Sequence, residues 1–135
     1  MINGYQGQKL DSPTILIVDD EKDIVTLTEK ILKLEGFQTI SCLNGIDALG
    51  IIEKEYKTIS LILLDILMPG ISGYDVAKKI KSVKEWAHIF IILFTAKAID
   101  EDIYLGKLKD VDGYILKPFK LNTLIDVVRK VLNLY

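Results

Sequence analysis

Short apolar, largely β-branched runs alternate along this chain with longer stretches in which apolar residues recur at helical spacing. Thr14 to Val18 (TILIV) has no polar alternation, as expected of a strand covered on both faces. The next segment places Ile24, Leu27, Ile31 and Leu34 on one helical face, with Gly36 as a stop signal just beyond. Phe37 to Ser41 predicts a second strand, and Ile46, Leu49 and Ile52 mark another helix. Ile59 to Leu64 (ISLILL) predicts a third strand, ended by the Met68-Pro69-Gly70 turn. Val76, Ala77 and Ile80 predict a short helix, followed by a polar connection through Lys84 and Trp86. Ile89 to Phe94 (IFIILF) is the clearest buried strand. Ile99, Ile103 and Leu108 sketch a weaker helix, Gly113 to Leu116 a fifth strand, and Leu121, Leu124, Ile125, Val128 and Leu132 one side of a final helix. Five βα units in alternation predict an α/β fold, a doubly wound parallel sheet with helices on both faces and right-handed crossovers.

Composition narrows this picture. The 135 residues are half hydrophobic and about a quarter charged, which suits one globular domain. Seventeen basic against nineteen acidic residues leave a net charge of −2, so no electrostatic footprint for a nucleic-acid backbone or an anionic membrane is expected. The single cysteine, Cys42, excludes an internal disulfide and a Cys-rich zinc site, and is expected to be a half-buried spectator. His88 is the only histidine and lies in a polar loop, where a ligand role is not expected. No apolar run reaches the ~20 residues of a membrane helix, and residues 1–13 lack the apolar centre of a secretory signal. A cytoplasmic domain is expected, with 1–13 as a polar extension and 14–135 as the folded unit.

In open parallel sheets, ligands bind beyond the carboxyl ends of the strands. Here the first strand ends in Asp19-Asp20, the third in Asp65, the fourth in Thr95 and the fifth in Lys117. Each has an ordinary local role when taken alone: Asp19 or Asp20 as a helix cap, Asp65 as a turn residue, Thr95 as a cap, Lys117 as a solvated loop lysine. Separate local roles do not explain why all of them gather on one edge. If the first and third strands are neighbours, ~4.8 Å apart, three carboxylates come together. Two like charges at roughly 4 Å repel by about 4 kcal/mol at an effective dielectric of 20. An all-oxygen cluster of this kind suits Mg²⁺, with Thr95 and Lys117 left to meet phosphoryl oxygens. The set predicts phosphoryl transfer without histidine or a nucleotide loop.

The segments ILIVDDE (Ile15 to Glu21), LLDILMPGISG (Leu63 to Gly73), LFTA (Leu93 to Ala96) and GYILKPF (Gly113 to Phe119) resemble the receiver domain of two-component response regulators. That resemblance runs from Thr14 almost to the C-terminus and implies a flavodoxin-like sheet of order 2-1-3-4-5. It implies Asp65 as the phosphoacceptor, Asp20 as a direct Mg²⁺ ligand with Asp19 beside it or acting through water, and the Leu67 carbonyl as a further ligand. Thr95 and Lys117 would contact the phosphoryl group, Thr95 and Tyr114 would form the switch pair, and the Lys117-Pro118 peptide would be cis. The phosphodonor would be a sensor histidine kinase or a histidine phosphotransfer protein. The changed face would be that of the helix around Ile99–Leu108, the fifth strand and the final helix, acting on a partner or an output domain. Homodimerisation on phosphorylation is common in such domains and stays open here.

Two departures stand out. Asp110 occupies a position where the family usually has glycine, which bears on the loop after the Ile99–Leu108 helix. Leu67 and Lys97 lie two residues beyond Asp65 and Thr95, where the family tunes dephosphorylation, and apolar Leu67 predicts a slow self-phosphatase. Three other readings compete. A haloacid-dehalogenase-like phosphatase also uses Asp, Thr, Lys and Mg²⁺, but its nucleophile ends the first strand with a second Asp two positions on. A flavin-binding module would place a phosphate where Asp19-Asp20-Glu21 repel it. A phosphorylation-independent interaction module would not need the complete acidic site.

Overall fold

A computed structural model of the chain describes residues 12–96 and 111–134. The expectations for residues 1–11, for the helix around Ile99, Ile103 and Leu108, and for Lys97 and Asp110 lie outside the described residues, as does the side chain of Thr95.

The strands are β1 (Thr14–Val18), β2 (Gln38–Cys42), β3 (Ile59–Leu64), β4 (Phe90–Thr95) and β5 (Gly113–Leu116). Every neighbouring pair is parallel and the order is β2-β1-β3-β4-β5, as the resemblance implied. The described helices are α1 (Lys22–Leu34), α2 (Gly45–Glu55), α3 (Gly73–Ser82) and α4 (Leu121–Val131), with a 3₁₀ turn at Lys84–Trp86. Strand alternation divides the core in two. Leu16, Val18, Ile62, Leu64, Ile91 and Leu93 face α2 and α3, packing on Ala48, Ile52, Val76, Ala77, Ile80 and Trp86. Ile15, Ile17, Leu61, Leu63, Ile92 and Phe94 face α1 and α4, packing on Val25, Ile31, Leu32, Leu124 and Val128. Each fully buried aliphatic side chain contributes roughly 1.5–3 kcal/mol of transfer free energy, and the central strands supply them from both faces. They read as unbroken apolar runs for that reason.

Two helix faces differ from expectation. In α1 the buried positions are Val25, Thr28, Ile31 and Leu32, while Leu27 and Leu34 are 48% and 77% exposed. In α2 they are Gly45, Ala48 and Ile52, and Ile46 is 64% exposed. The buried positions are held partly by small or polar residues. At Gly45 a Cβ would come within 2.6 Å of the Ile71 side chain, so the interface there has no room for bulk. A pattern that weights large apolar residues is therefore rotated by about one position. Strand β2 begins at Gln38 rather than Phe37, and β4 runs to Thr95 rather than stopping at Phe94. Gly36 does end α1, at φ 93°. Trp86 is buried in the α2/α3-side core, consistent with a packing role on its loop.

Strand register sets up the sheet's carboxyl edge. Val18 of β1 pairs with Leu64 of β3, and the Asp65 amide donates to the Val18 carbonyl at 2.9 Å. The next residue of each strand, Asp19 and Asp65, therefore emerges side by side. Thr95 likewise pairs with Leu116, which brings Lys117 to the same edge.

Candidate functional site

Asp19, Asp20 and Asp65 each bring a carboxylate oxygen within 4.8 Å of the others. Asp19 is fully buried, Asp65 nearly so at 4% exposure, and Asp20 is exposed. None of the three acts as a helix cap. The N-cap of α1 is Glu21, whose side chain makes no capping bond; instead its amide donates to Asp19 Oδ1 at 2.9 Å. That turn fixes the Asp19 carboxylate inward. Asp65 is fixed similarly, its Oδ1 accepting from the Leu67 amide at 3.3 Å.

Lys117 is the one cation among the described residues paired with this cluster. Its Nζ lies 2.6 Å from Asp19 Oδ2, 3.1 Å from Glu21 Oε1 and 3.6 Å from Asp65 Oδ2. The ammonium also sits 5.3 Å from the centre of the Phe94 ring, a cation–π distance, and only a tenth of the side chain is exposed. Asp19 Oδ2 makes no hydrogen bond of good angle; the charge of the ammonium alone offsets it. Burial draws the Lys117 pKa down, but its close pairing with Asp19, its hydrogen bond to Glu21 and the charge of Asp65 outweigh that and leave it raised. Asp65 moves up to about 6, first because burial strips water from its carboxylate and next because Asp19 repels it; Lys117 and the Leu67 amide pull partly the other way. One ammonium does not neutralise three acids and Glu21.

The donor set fits a hard divalent cation: three carboxylates, all oxygen, one of them buried without a well-aligned donor on its second oxygen. Gly73 packs on the backbone that follows β3: a Cβ there would collide with the Asp65 carbonyl oxygen, and its amide donates to the Ile66 carbonyl at 3.0 Å. Asp65, Asp19, Asp20 and Lys117 are thus brought together as expected. Leu67 is adjacent in the loop after β3, with its side chain 59% exposed. Thr95 ends the neighbouring strand at the same edge. Tyr114 lies opposite Leu93 on β5 and is 46% exposed. The Lys117-Pro118 peptide is cis.

Glu21 and Gly73 went unassigned in the sequence. Glu21 is the third acid of an uninterrupted run, and Gly73 follows the α3 cap Ser72; both signals were present but local. His88, for which no ligand role is expected, meets the backbone: its Nε2 lies 2.7 Å from the Tyr56 carbonyl oxygen.

The sequence matches the response regulator receiver domain family over residues 15–129. It is 38% identical over 111 residues to response regulator SaeR of Staphylococcus epidermidis, covering 82% of this chain and 46% of that protein; the chain thus spans about half the length of that relative. It is 37% identical over 124 residues to sporulation initiation phosphotransferase F of Bacillus subtilis, covering 89% of this chain and 94% of that one. Among solved structures, response regulator TrrA of Thermotoga maritima in complex with Mg²⁺-BeF superposes with a TM-score of 0.78 at 35% identity, over 88% of this chain and 98% of that chain. A CheY-like receiver domain protein of Methanospirillum hungatei gives 0.80 at 28% identity, over 90% and 94%. The chain belongs to the response regulator receiver domain family, whose members bind Mg²⁺ at an acidic pocket, receive phosphate from histidine kinases and act on output domains.

Proposed function

Given that membership, we propose that this chain is a phosphorylation-activated switch whose phosphoacceptor is Asp65. The observation that carries this reading is the position of Asp65: buried at the end of β3, beside Asp19 and within 3.6 Å of the Lys117 ammonium. The carboxylate, with a pKa of about 6, is mostly ionised at pH 7 and so is ready as a nucleophile. A sensor histidine kinase or histidine phosphotransfer protein presents a phosphohistidine. An Asp65 oxygen bonds to phosphorus as the P–N bond breaks, and the electron pair leaves on the imidazole nitrogen. No catalytic base is needed, because the attacking group is already an anion.

Asp20, with Asp19 beside it or through water, Asp65 and the Leu67 carbonyl would hold Mg²⁺. The ion supplies charge neutralisation for the phosphoryl oxygens. Lys117 supplies a second positive charge and Thr95 a hydroxyl donor. Phosphorylation adds a dianion at the end of β3; Thr95 is drawn to it and Tyr114, exposed at present, turns inward. That shifts a pre-existing equilibrium on the β5/α4 face, which then engages a partner, an output domain or a second copy. In this reading residues 14–135 form the receiver, 1–13 a polar extension, and the setting is cytoplasmic. Exposed, apolar Leu67 makes the chain's own dephosphorylation slow.

Intact-protein mass after incubation with acetyl phosphate tests the assignment. One phosphoryl increment that requires Mg²⁺ and disappears in Asp65→Asn is expected. Catalytic release of phosphate from monoesters, or an undiminished increment in Asp65→Asn, would overturn it.

A further inference from the structure

The contacts of Lys117 are unequal, and their order runs against the chemistry proposed for it. Its ammonium is closest to Asp19 at 2.6 Å, next to Glu21 at 3.1 Å, and farthest from Asp65 at 3.6 Å. Two of its three partners therefore stand on the β1 side. Asp19 is buried and held by the Glu21 amide, so it cannot follow the ammonium. Glu21 is 61% exposed at its side chain and carries no capping bond to α1. Its other job in the fold, the amide bond to Asp19 Oδ1, uses only its backbone. Among the described residues, Lys117 is the one partner of the Glu21 carboxylate.

From this geometry we infer that Glu21 is a positioning residue that anchors the Lys117 ammonium on the β1 side of the site and so restrains phosphoryl transfer to Asp65. The inference rests on the proposed function. A phosphoryl group on Asp65 draws Lys117 toward β3, and that movement sacrifices the Glu21 contact before the shorter one to Asp19. Removing the contact leaves Lys117 with fewer competitors for the incoming oxygens. Simple repulsion of an anionic donor by Glu21 predicts the same direction for loss of the charge, but not for loss of reach. An aspartate at position 21 keeps the charge and falls short of the ammonium.

The test is the rate of phosphoryl incorporation into the full chain from acetyl phosphate with Mg²⁺, followed by intact mass over a range of donor concentrations. Glu21→Gln and Glu21→Asp are compared with the unaltered chain, and Asp65→Asn serves as the blank. Both Glu21 variants are expected to incorporate about threefold faster, the scale of a half-exposed ion pair. The gain should persist at saturating donor, where attraction of the anion no longer limits. Glu21→Asp behaving like the unaltered chain, or a gain confined to low donor concentration, would replace anchoring by donor repulsion. Equal rates in all three chains would remove any role for the Glu21 carboxylate while leaving the Asp65 assignment intact. Absence of Asp65-dependent label in the unaltered chain would instead overturn the proposed function, and the inference with it.

Discussion

The two ends of this sheet follow different rules. At the amino edge polar groups meet partners one to one: Thr58 Oγ1 donates to the Glu55 carbonyl at 3.0 Å, His88 Nε2 sits 2.7 Å from the Tyr56 oxygen, and Asp112 Oδ2 accepts from the Ile91 amide at 2.8 Å. At the carboxyl edge Asp19, Asp20 and Asp65 crowd together around one shared ammonium. Equal burial of the central strands supports both edges, so the contrast is not one of packing. Satisfied polar groups close a fold, whereas a set of charges in conflict marks the place where the fold expects a ligand. Such local conflict is tolerated because the rest of the molecule is consistent.

Breaking the carboxyl edge at its cation should have the largest effect. Lys117→Met strips the buried Asp19 carboxylate of its counter-charge, and removing one member of a buried pair typically costs about 3 kcal/mol. Urea denaturation of the metal-free variant should show that loss, and Mg²⁺ should restore part of it; stability unchanged without Mg²⁺ would mean that the acids are not in conflict.

The raised pKa of Asp65 gives the next effect, with its sign fixed by linkage. The folded state holds the proton up to about pH 6, and the unfolded chain releases it near the ordinary ~3.9. Between those values the folded state binds more protons, so metal-free stability must fall as pH rises from about 4 to 6 and then level off. Across the interval from ~3.9 to about 6, the loss attributable to Asp65 is about 3 kcal/mol. Denaturation curves across that window should lose this slope in Asp65→Asn; an unchanged slope would assign the titration elsewhere.

A smaller effect is expected at Leu67. Leu67→Asn offers an attacking water one hydrogen bond and should shorten the aspartyl phosphate lifetime by up to about tenfold, the worth of such a bond in the transition state. Leu67→Ala should leave the lifetime unchanged. Decay of the phosphorylated mass after removal of donor measures both, and an already rapid loss in the unaltered chain would sink the idea. The amino edge supplies the control: Asp112→Ala should cost about 1 kcal/mol of stability for its lost bond to Ile91 and leave Mg²⁺ affinity alone. A change in that affinity would show that the two ends are coupled.

What could be read from the sequence follows the same division. Strands buried on both faces announce themselves as apolar runs, and TILIV and ISLILL match β1 and β3 residue for residue, as GYIL does the half-exposed edge strand β5. Residues that end those strands are placed by register, so Asp19, Asp65 and Lys117 were readable as one cluster before any contact was known. The faces of α1 and α2 were not, because the crowded interior selects Thr28, Gly45 and Ala48 over the larger Leu27 and Ile46, Gly45 being pressed by Ile71 and Val76. Thr28 even buries a hydroxyl with no partner among the described residues, which no hydrophobic pattern would choose. Contacts between distant segments were equally hidden: Glu21 meets Lys117 across 96 positions and His88 meets Tyr56 across 32, and nothing in local spacing encodes either.

The central proposal is that the acids at the carboxyl edge hold Mg²⁺. Isothermal titration of Mg²⁺ into the full chain, beside Asp20→Asn, tests it most directly. A single site that is lost in the variant is the predicted result; no binding to the unaltered chain, or equal binding to both, would contradict it.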